Sequence, residues 1–265
     1  MEPSTIFFIV CIIVLIYLVY YSYFFSAGNL LSSVVVGNTE TIIKPPVSEI
    51  GSMPATATYS IWINVNDWNY NKSFYKNILT HQVVAAEKGS VYISLDRDSN
   101  NVVVSIRQDN AGTSYVASSI ENIPLQTWVH LAVVVNQKTF DLYLNGKLIK
   151  TTMLDYVFVP SAASGNQIVL GGIATTPTSA CGGSTGLYGS ITGCYQSFSD
   201  ASRNPGFSGW ITRFNYFQDA KDPQTIWNMY LEGSGVNSFL SNLFGNYGLT
   251  VSLTSDGVVS NTISI

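Results

Sequence analysis

Charge is scarce in this chain. Only 11% of its 265 residues are Asp, Glu, Lys or Arg, against roughly 25% in ordinary soluble domains. A surface so poor in charge is either buried against partners or covered by neutral polar groups. Ser, Thr and Asn fill the non-apolar positions, which favours a β-rich protein working in an assembly or outside the cell. With 12 basic residues, 16 acidic ones and a net charge of −4, no basic cluster forms. That excludes nucleic acid as a partner held by phosphate neutralisation. Histidine is limited to His81 and His130, and neither has a Ser or Cys partner in a recognisable catalytic motif. His81, after "NILT", reads as a strand-end surface residue, and His130 lies mid-strand. Two histidines and no cysteine cluster also exclude a zinc site. Gly171-Gly172 and Gly182-Gly183 lack the Lys and following helix of a phosphate loop.

Cysteine is nearly absent as well. Cys11 lies in an apolar run, where it reads as a small hydrophobe. Cys181 and Cys194 flank the Gly/Ser/Thr-rich loop "CGGSTGLYGSITGC". A disulfide between them would contribute roughly 3 kcal/mol, and two free thiols are the alternative; pairing requires an oxidising compartment or a dedicated oxidase.

What the chain does have begins at Ile6. The run to Phe25, "IFFIVCIIVLIYLVYYSYFF", holds twenty residues and no charge. As a helix it rises about 30 Å, the thickness of a bilayer core. Tyr17, Tyr20, Tyr21 and Tyr23 crowd its second half, at the headgroup level. Residues 1–26 are therefore expected to be a transmembrane anchor. A cleaved signal peptide competes, with Ser26-Ala27-Gly28 as its cleavage site, but no Lys or Arg precedes the run and the run exceeds a signal's apolar core. Glu2 is the only charge before Glu40, so orientation is undetermined. Residues 27–54 read as a tether able to donate an edge strand, with Pro45, Pro46 and Pro54 opposing a helical stalk.

From residue 55 to 265 the pattern is strand after strand. "TATYSIWINVND" places Tyr59, Ile61, Ile63 and Val65 on one face and Ser60, Trp62 and Asn64 on the other. "SVYISLDRDSNNVVVSIRQD" predicts a hairpin around Asp96 to Asn101. In "WVHLAVVVNQKTFDLYLNGKLI" the first strand is apolar on both faces, so it lies between two layers, and Asn145-Gly146 turns the chain again. "DPQTIWNMYLEG" is the one convincing helix: Asp222 caps it, Pro223 opens it, Ile226, Trp227 and Tyr230 face inward, and Gly233 ends it. Ser255-Asp256-Gly257 reads as a turn between two last strands. Many short strands and one helix predict an all-β, antiparallel two-sheet sandwich.

Three segments carry a family resemblance. "YSIWINV", "TWVHLAVVVNQKTFDLYLNGKLI" and "GWITRFNYFQDAKDPQTIWNMY" occur in the order found in laminin-G-like, concanavalin A-like jelly-roll domains. The region from Thr56 to Glu232 resembles that family. The resemblance implies two curved sheets stacked face to face, with Trp128 and His130 in the packing motif.

It also implies three functions, each of which needs its own residues. Glucanases use paired carboxylates on one strand; no E-x-D-x-x-E run exists, and Glu87, Glu121 and Glu232 stand alone. The chain is therefore expected not to be an enzyme. Calcium is the one cofactor with any pattern. Asp96, Asp98 and Asn100 have the spacing that begins a calcium loop, but Asn101 stands where Gly is needed and Arg107 where a bidentate Glu is needed. A solvated hairpin turn is the plainer reading. Asp141 and Asp219 are further oxygen donors without an evident common place. Glycan binding needs aromatic platforms, and "NDWNYNKSFYKN" offers Trp68, Tyr70, Phe74 and Tyr75. Such rings also anchor protein interfaces or pack internally. Asn71-Lys72-Ser73 is a glycosylation sequon if the domain faces the secretory lumen.

Two readings of function result. In the first, a membrane-anchored, non-enzymatic sandwich docks onto other proteins of a shell or lattice. It would suit a minor structural protein of a membrane-containing virus particle, linking an inner membrane to the capsid. In the second, a lectin-like surface module binds glycans.

Overall fold

The computed structural model describes residues 12–17, 29–45, 55–72, 74–83, 90–108, 115–160, 166–172, 205–235, 250–255 and 258–264. The strands begin with β1 (Asn29–Leu31), β2 (Val35–Val36), β3 (Thr41–Ile43), β4 (Thr56–Asp67) and β5 (Lys76–Val83). They continue with β6 (Val91–Leu95), β7 (Val102–Arg107), β8 (Tyr115–Ile120), β9 (Trp128–Asn136) and β10 (Thr139–Leu144). The last are β11 (Lys147–Met153), β12 (Asn166–Leu170), β13 (Ser208–Phe217), β14 (Thr250–Ser255) and β15 (Val258–Ser264), and one helix, α1 (Pro223–Leu231), follows β13.

Sheet A runs β1-β13-β4-β9-β10-β11, with β2 also on β13, and sheet B runs β3-β12-β5-β6-β7-β8. Every pairing is antiparallel. The inward faces of the two sheets share one core. Ile61, Ile63, Leu131, Val133, Phe140 and Phe214 enter it from sheet A, and Leu79, Ile93, Val104 and Ile168 from sheet B. Burying such side chains contributes about 1.5–3 kcal/mol each. The two-sheet sandwich is the fold the alternation predicts.

The segment read as a tether is part of this body. β1 and β2 pair with β13 in sheet A, and β3 pairs with β12 in sheet B. Runs of two or three residues are too short to show a period, so the sequence suggests an edge strand without locating it. β14 and β15 pair with each other around residues 256 and 257, and with neither main sheet.

α1 begins as its sequence demands. The Asp222 carboxylate accepts from Thr225 N at 3.0 Å, Pro223 occupies the first turn, and Gly233 ends the helix at φ +72°. The helix presses Ile226 onto Ala132, Val134 and Tyr143, which belong to the outer face of sheet A. That packing is why β9 is apolar on both sides. Trp227 and Tyr230 are half-buried; Tyr230 stacks on Trp62 with ring centroids 5.8 Å apart. Asn145 (φ 50°) and Gly146 (φ 75°) make the tight β10–β11 turn. Asn145 also ties that turn to His130, exchanging N–H to O bonds of 2.8 Å and 3.0 Å.

Residues 12–17 are helical, and their six apolar side chains, Tyr17 included, are exposed. Among the described residues no helix is long and apolar enough to cross a membrane. Ile6, Tyr20 and Phe25, the other expected anchor positions, lie outside the described residues, as do Cys11, Cys181 and Cys194.

Candidate functional site

The β4–β5, β6–β7 and β8–β9 loops meet at one end of the sandwich. Backbone bonds knit them: Gln126 N donates to Val65 O (2.8 Å) and Ile123 N to Asn100 O (3.1 Å), while Asn77 N of β5 donates to Pro205 O (2.8 Å) in the segment that leads into β13. This end unites two groups of residues that the sequence keeps twenty or more positions apart, the aromatics after Asp67 and the Asp96–Asn101 turn.

Lys76 is the link. It opens β5 opposite Leu95, on the inward side, and is fully buried. A buried ammonium must find acceptors. Its Nζ donates to Asp96 O at 3.0 Å and lies 4.4 Å from the centroid of the Trp68 ring. Burial pulls its pKa down to about 8, opposed by the nearby carboxylates of Asp96 and Asp98. Trp68 is thus pinned from below by a cation and packed against the core, while it keeps part of its surface in solvent.

The four predicted aromatics take separate places. Phe74 is buried and Tyr70 is half-buried. Tyr75 leaves the loop end to join Tyr92, Val103 and Tyr115 on the outer face of sheet B. Only Trp68 and Tyr70 remain as partly open rings on the loop itself. The sequon is closed: Asn71 is 9% exposed and its amide donates to Gly206 O at 2.9 Å.

Asp96, Asp98 and Asn100 do not converge on a shared point. The Asp96 carboxylate accepts from Arg97 N at 2.7 Å and from the Ser99 hydroxyl, which closes the turn on itself. Asp98 pairs with Arg97 at 2.8 Å on the surface, and the Asn100 amide donates to Ile123 O at 2.7 Å. Asp141 accepts from Thr151 and Asp219 from Lys221. Among the described residues no three His, Cys, Asp or Glu side chains are grouped to hold a metal.

Both histidines are buried, which corrects the surface reading of His81. A bulge in β5 puts Ile78 and Leu79 both in the core and carries His81 inward with them. His81 Nε2 meets Asn166 Oδ1 at 2.6 Å, and Nδ1 meets the Tyr59 hydroxyl at 2.6 Å. An amide oxygen on Nε2 makes that nitrogen the donor, so Tyr59 donates to Nδ1. Burial lowers the His81 pKa to about 4, helped by the Arg107 charge and opposed by the Asn166 bond. It also raises Tyr59 well above its usual range and Tyr216 to about 12. His130 lies under α1 beside the stacked Trp62 and Tyr230 rings, bonded to the Ser60 hydroxyl at 2.8 Å, and burial lowers its pKa to about 3. Neither imidazole faces solvent, so both serve packing.

Sequence reasoning also passed over the outer face of sheet B. Thr80, Tyr92 and Ser105 are cross-strand neighbours there, next to Ser94 and Val103, and all five are buried. The clue was the strict alternation Val91-Tyr92-Ile93-Ser94-Leu95, whose second face is polar.

Residues 38–191 match the family profile described as the concanavalin A-like lectin/glucanases superfamily. Among solved structures, the receptor binding domain of botulinum neurotoxin D matches with TM-score 0.50 and 16% identity, over 76% of this chain and 42% of that one. The chain thus spans less than half the length of that relative. The serotype D ligand binding domain in complex with N-acetylneuraminic acid matches at 0.49 and 15%, over 76% and 46%. The Ruminococcus gnavus IT-sialidase CBM40 bound to sialyllactose matches at 0.45 and 14%, over 66% and 82%. At these identities the likeness concerns the fold. A search of curated proteins returned no significant match.

Proposed function

We propose, from the premise that this chain belongs to the concanavalin A-like lectin/glucanases superfamily, that it is a non-catalytic binding module taking saccharide at the loop end of its sandwich. The observation that carries the reading is the Trp68 ring held over Lys76 Nζ at 4.4 Å. A ring fixed from one side needs no ordering when an apolar sugar face settles on the other, and that preorganisation favours binding. Exposed Asn66, Asn69 and Gln126 surround it with neutral donors and acceptors, the groups that hydroxyls require. The carboxylates of this end are engaged with their own loops, and among the described residues of this end no facing pair stands ready for hydrolysis.

The test is glycan-array binding followed by calorimetry on the best ligand. Trp68→Ala is expected to weaken binding by about tenfold or more when measured well below the variant's own, lowered thermal midpoint. Binding indifferent to that substitution removes the site.

A second reading is favoured by one observation at the far edge of sheet A. β11 is an outermost strand, and Leu148, Ile149 and Met153 on it are 51%, 49% and 75% exposed. An open strand edge is a template for pairing with another chain. With the uncharged run from Ile6 to Phe25 as an anchor, the sandwich would dock onto a protein shell above a membrane, as in a membrane-containing virus particle. Cross-linking and mass spectrometry in the native membrane or particle decides: dense links from Lys147 and Lys150 to one repeating partner support docking, and their absence sinks it.

A further inference from the structure

α1 covers only part of the outer face of sheet A. Beyond it, toward the loop end, one row of that face stays open. The register sets Trp210 of β13 opposite Asn64 of β4, and Asn64 opposite Trp128 of β9. All three therefore lie side by side on one face. Trp210 is 41% exposed and Trp128 is half-buried. Val36 of β2, also exposed, pairs with Trp210 and extends the row to the sheet edge. Two strand spacings separate the two indoles, roughly 9.5 Å. Between them the Asn64 side-chain oxygen is enclosed without a hydrogen-bond donor, a costly state in a native protein. Next along the face toward the loops stand Asn66 and Ser208, with Gln126 donating its amide to Asn66 O at 3.5 Å. The one charge beside the row is Asp67, which pairs with Ser208 and whose carboxylate accepts from Asn69 N at 2.9 Å.

We infer that this row is a second saccharide surface, built for an extended, uncharged, β-linked pyranose chain that crosses β13, β4 and β9. The indole spacing is close to a disaccharide length of such a chain, so alternate sugars would rest on Trp210 and Trp128. Rotation of the half-buried Asn64 amide would turn its enclosed oxygen outward to accept a hydroxyl of the intervening sugar. No basic side chain stands among the residues of the row and the carboxylate of Asp67 lies beside it, which argues against anionic glycans and polyphosphates. The rigid strand backbone fixes the spacing before any ligand arrives, which distinguishes this face from the loop surface around Trp68.

The experiment is calorimetric titration of the full chain, in detergent micelles, with cellohexaose, xylohexaose and mannohexaose and with the matching disaccharides. At least one hexasaccharide is expected to bind, with its disaccharide about tenfold weaker because only one indole is engaged. Trp210→Ala and Trp128→Ala should each reduce hexasaccharide affinity by about tenfold or more, and Met153→Ala, exposed at the opposite end of sheet A, should leave it unchanged. Trp210→Phe, a smaller change at an exposed position, should fall between. Loss confined to Trp68→Ala would overturn this surface and leave the loop-end reading standing. Failure of all three hexasaccharides overturns the inference. So does self-association that Trp210→Ala abolishes, which would make the row an interface between copies.

Discussion

Acidification from neutrality to near pH 5 removes about 4 kcal/mol from the stability of this fold, about 2 kcal/mol for each buried histidine. The sign follows from the direction of the shifts. His81 is lowered to about 4 and His130 to about 3 in the folded state, while an unfolded histidine titrates near 6.5. The unfolded chain therefore takes up protons first. Stability is fully present above roughly pH 6.5 and declines as pH falls toward the folded values. Glu40 and Glu232, raised by burial, push the other way, but both are only partly buried and their contribution is small. Since domains of this kind hold roughly 5–15 kcal/mol in all, the urea midpoint should fall steeply between pH 6.5 and 5. Single His81→Gln and His130→Gln variants should each be less stable at neutral pH and show a shallower pH slope. A midpoint flat over that range would mean that the two imidazoles reach water.

The larger effect belongs to a glycine. Gly209→Ala is expected to prevent folding or to cost more than about 4 kcal/mol. A Cβ at that position would stand 1.9 Å from the carbonyl oxygen of Asn64 and 2.9 Å from the Phe207 ring, at φ +157°. The obstructing atom is backbone in β4, the central partner of both β13 and β9, and it has no rotamer to change. Relief would require moving β13 away from β4 and giving up the bond from Gly37 N to Gly209 O, 2.9 Å long. Expression, circular dichroism and thermal melting of Gly209→Ala beside Gly233→Ala give the comparison. Gly233 has open space around it, so its alanine variant meets only the strain of a positive φ, about 1–3 kcal/mol. Equal melting of the two would show that sheet A yields more readily than its register suggests.

Much of the sandwich could be read from period-two alternation. β4, β9 and β10 follow it without interruption, and the Asn145-Gly146 turn is encoded by one of the few pairs of residue types that adopt both positive φ angles easily. Failures occurred where the period breaks or runs short. In β5 the bulge at Ile78-Leu79 shifts parity by one, so a histidine that counting from Lys76 assigns outward is carried into the core. β1, β2 and β3 are too brief to alternate. The candidate site was legible as two lists, aromatics and acids, but not as one place. Their meeting depends on the crossover from sheet A to sheet B after Asp67 and on Lys76, whose apolar stem and cationic tip belong to different lists. Trp210 was visible only as a strand residue and Trp128 only as part of the packing motif, because their kinship is lateral, through Asn64 of a third strand, with 82 positions separating the two in sequence.

Between Asn29 and Ile43 the chain changes sheets, serving β13 twice and then β12. In mechanical terms these residues are a fuse in series with whatever lies upstream. A pull arriving through Asn29 loads the three-residue ladder of β1 first, then the two residues of β2, then β3, each held by few hydrogen bonds. They give way one after another, lengthening the connection while β13 and β12 keep their pairings to β4 and β5. The central strands β4, β9, β5 and β6 would keep their pairings under a tension that has already unravelled the first fifteen residues of the sandwich.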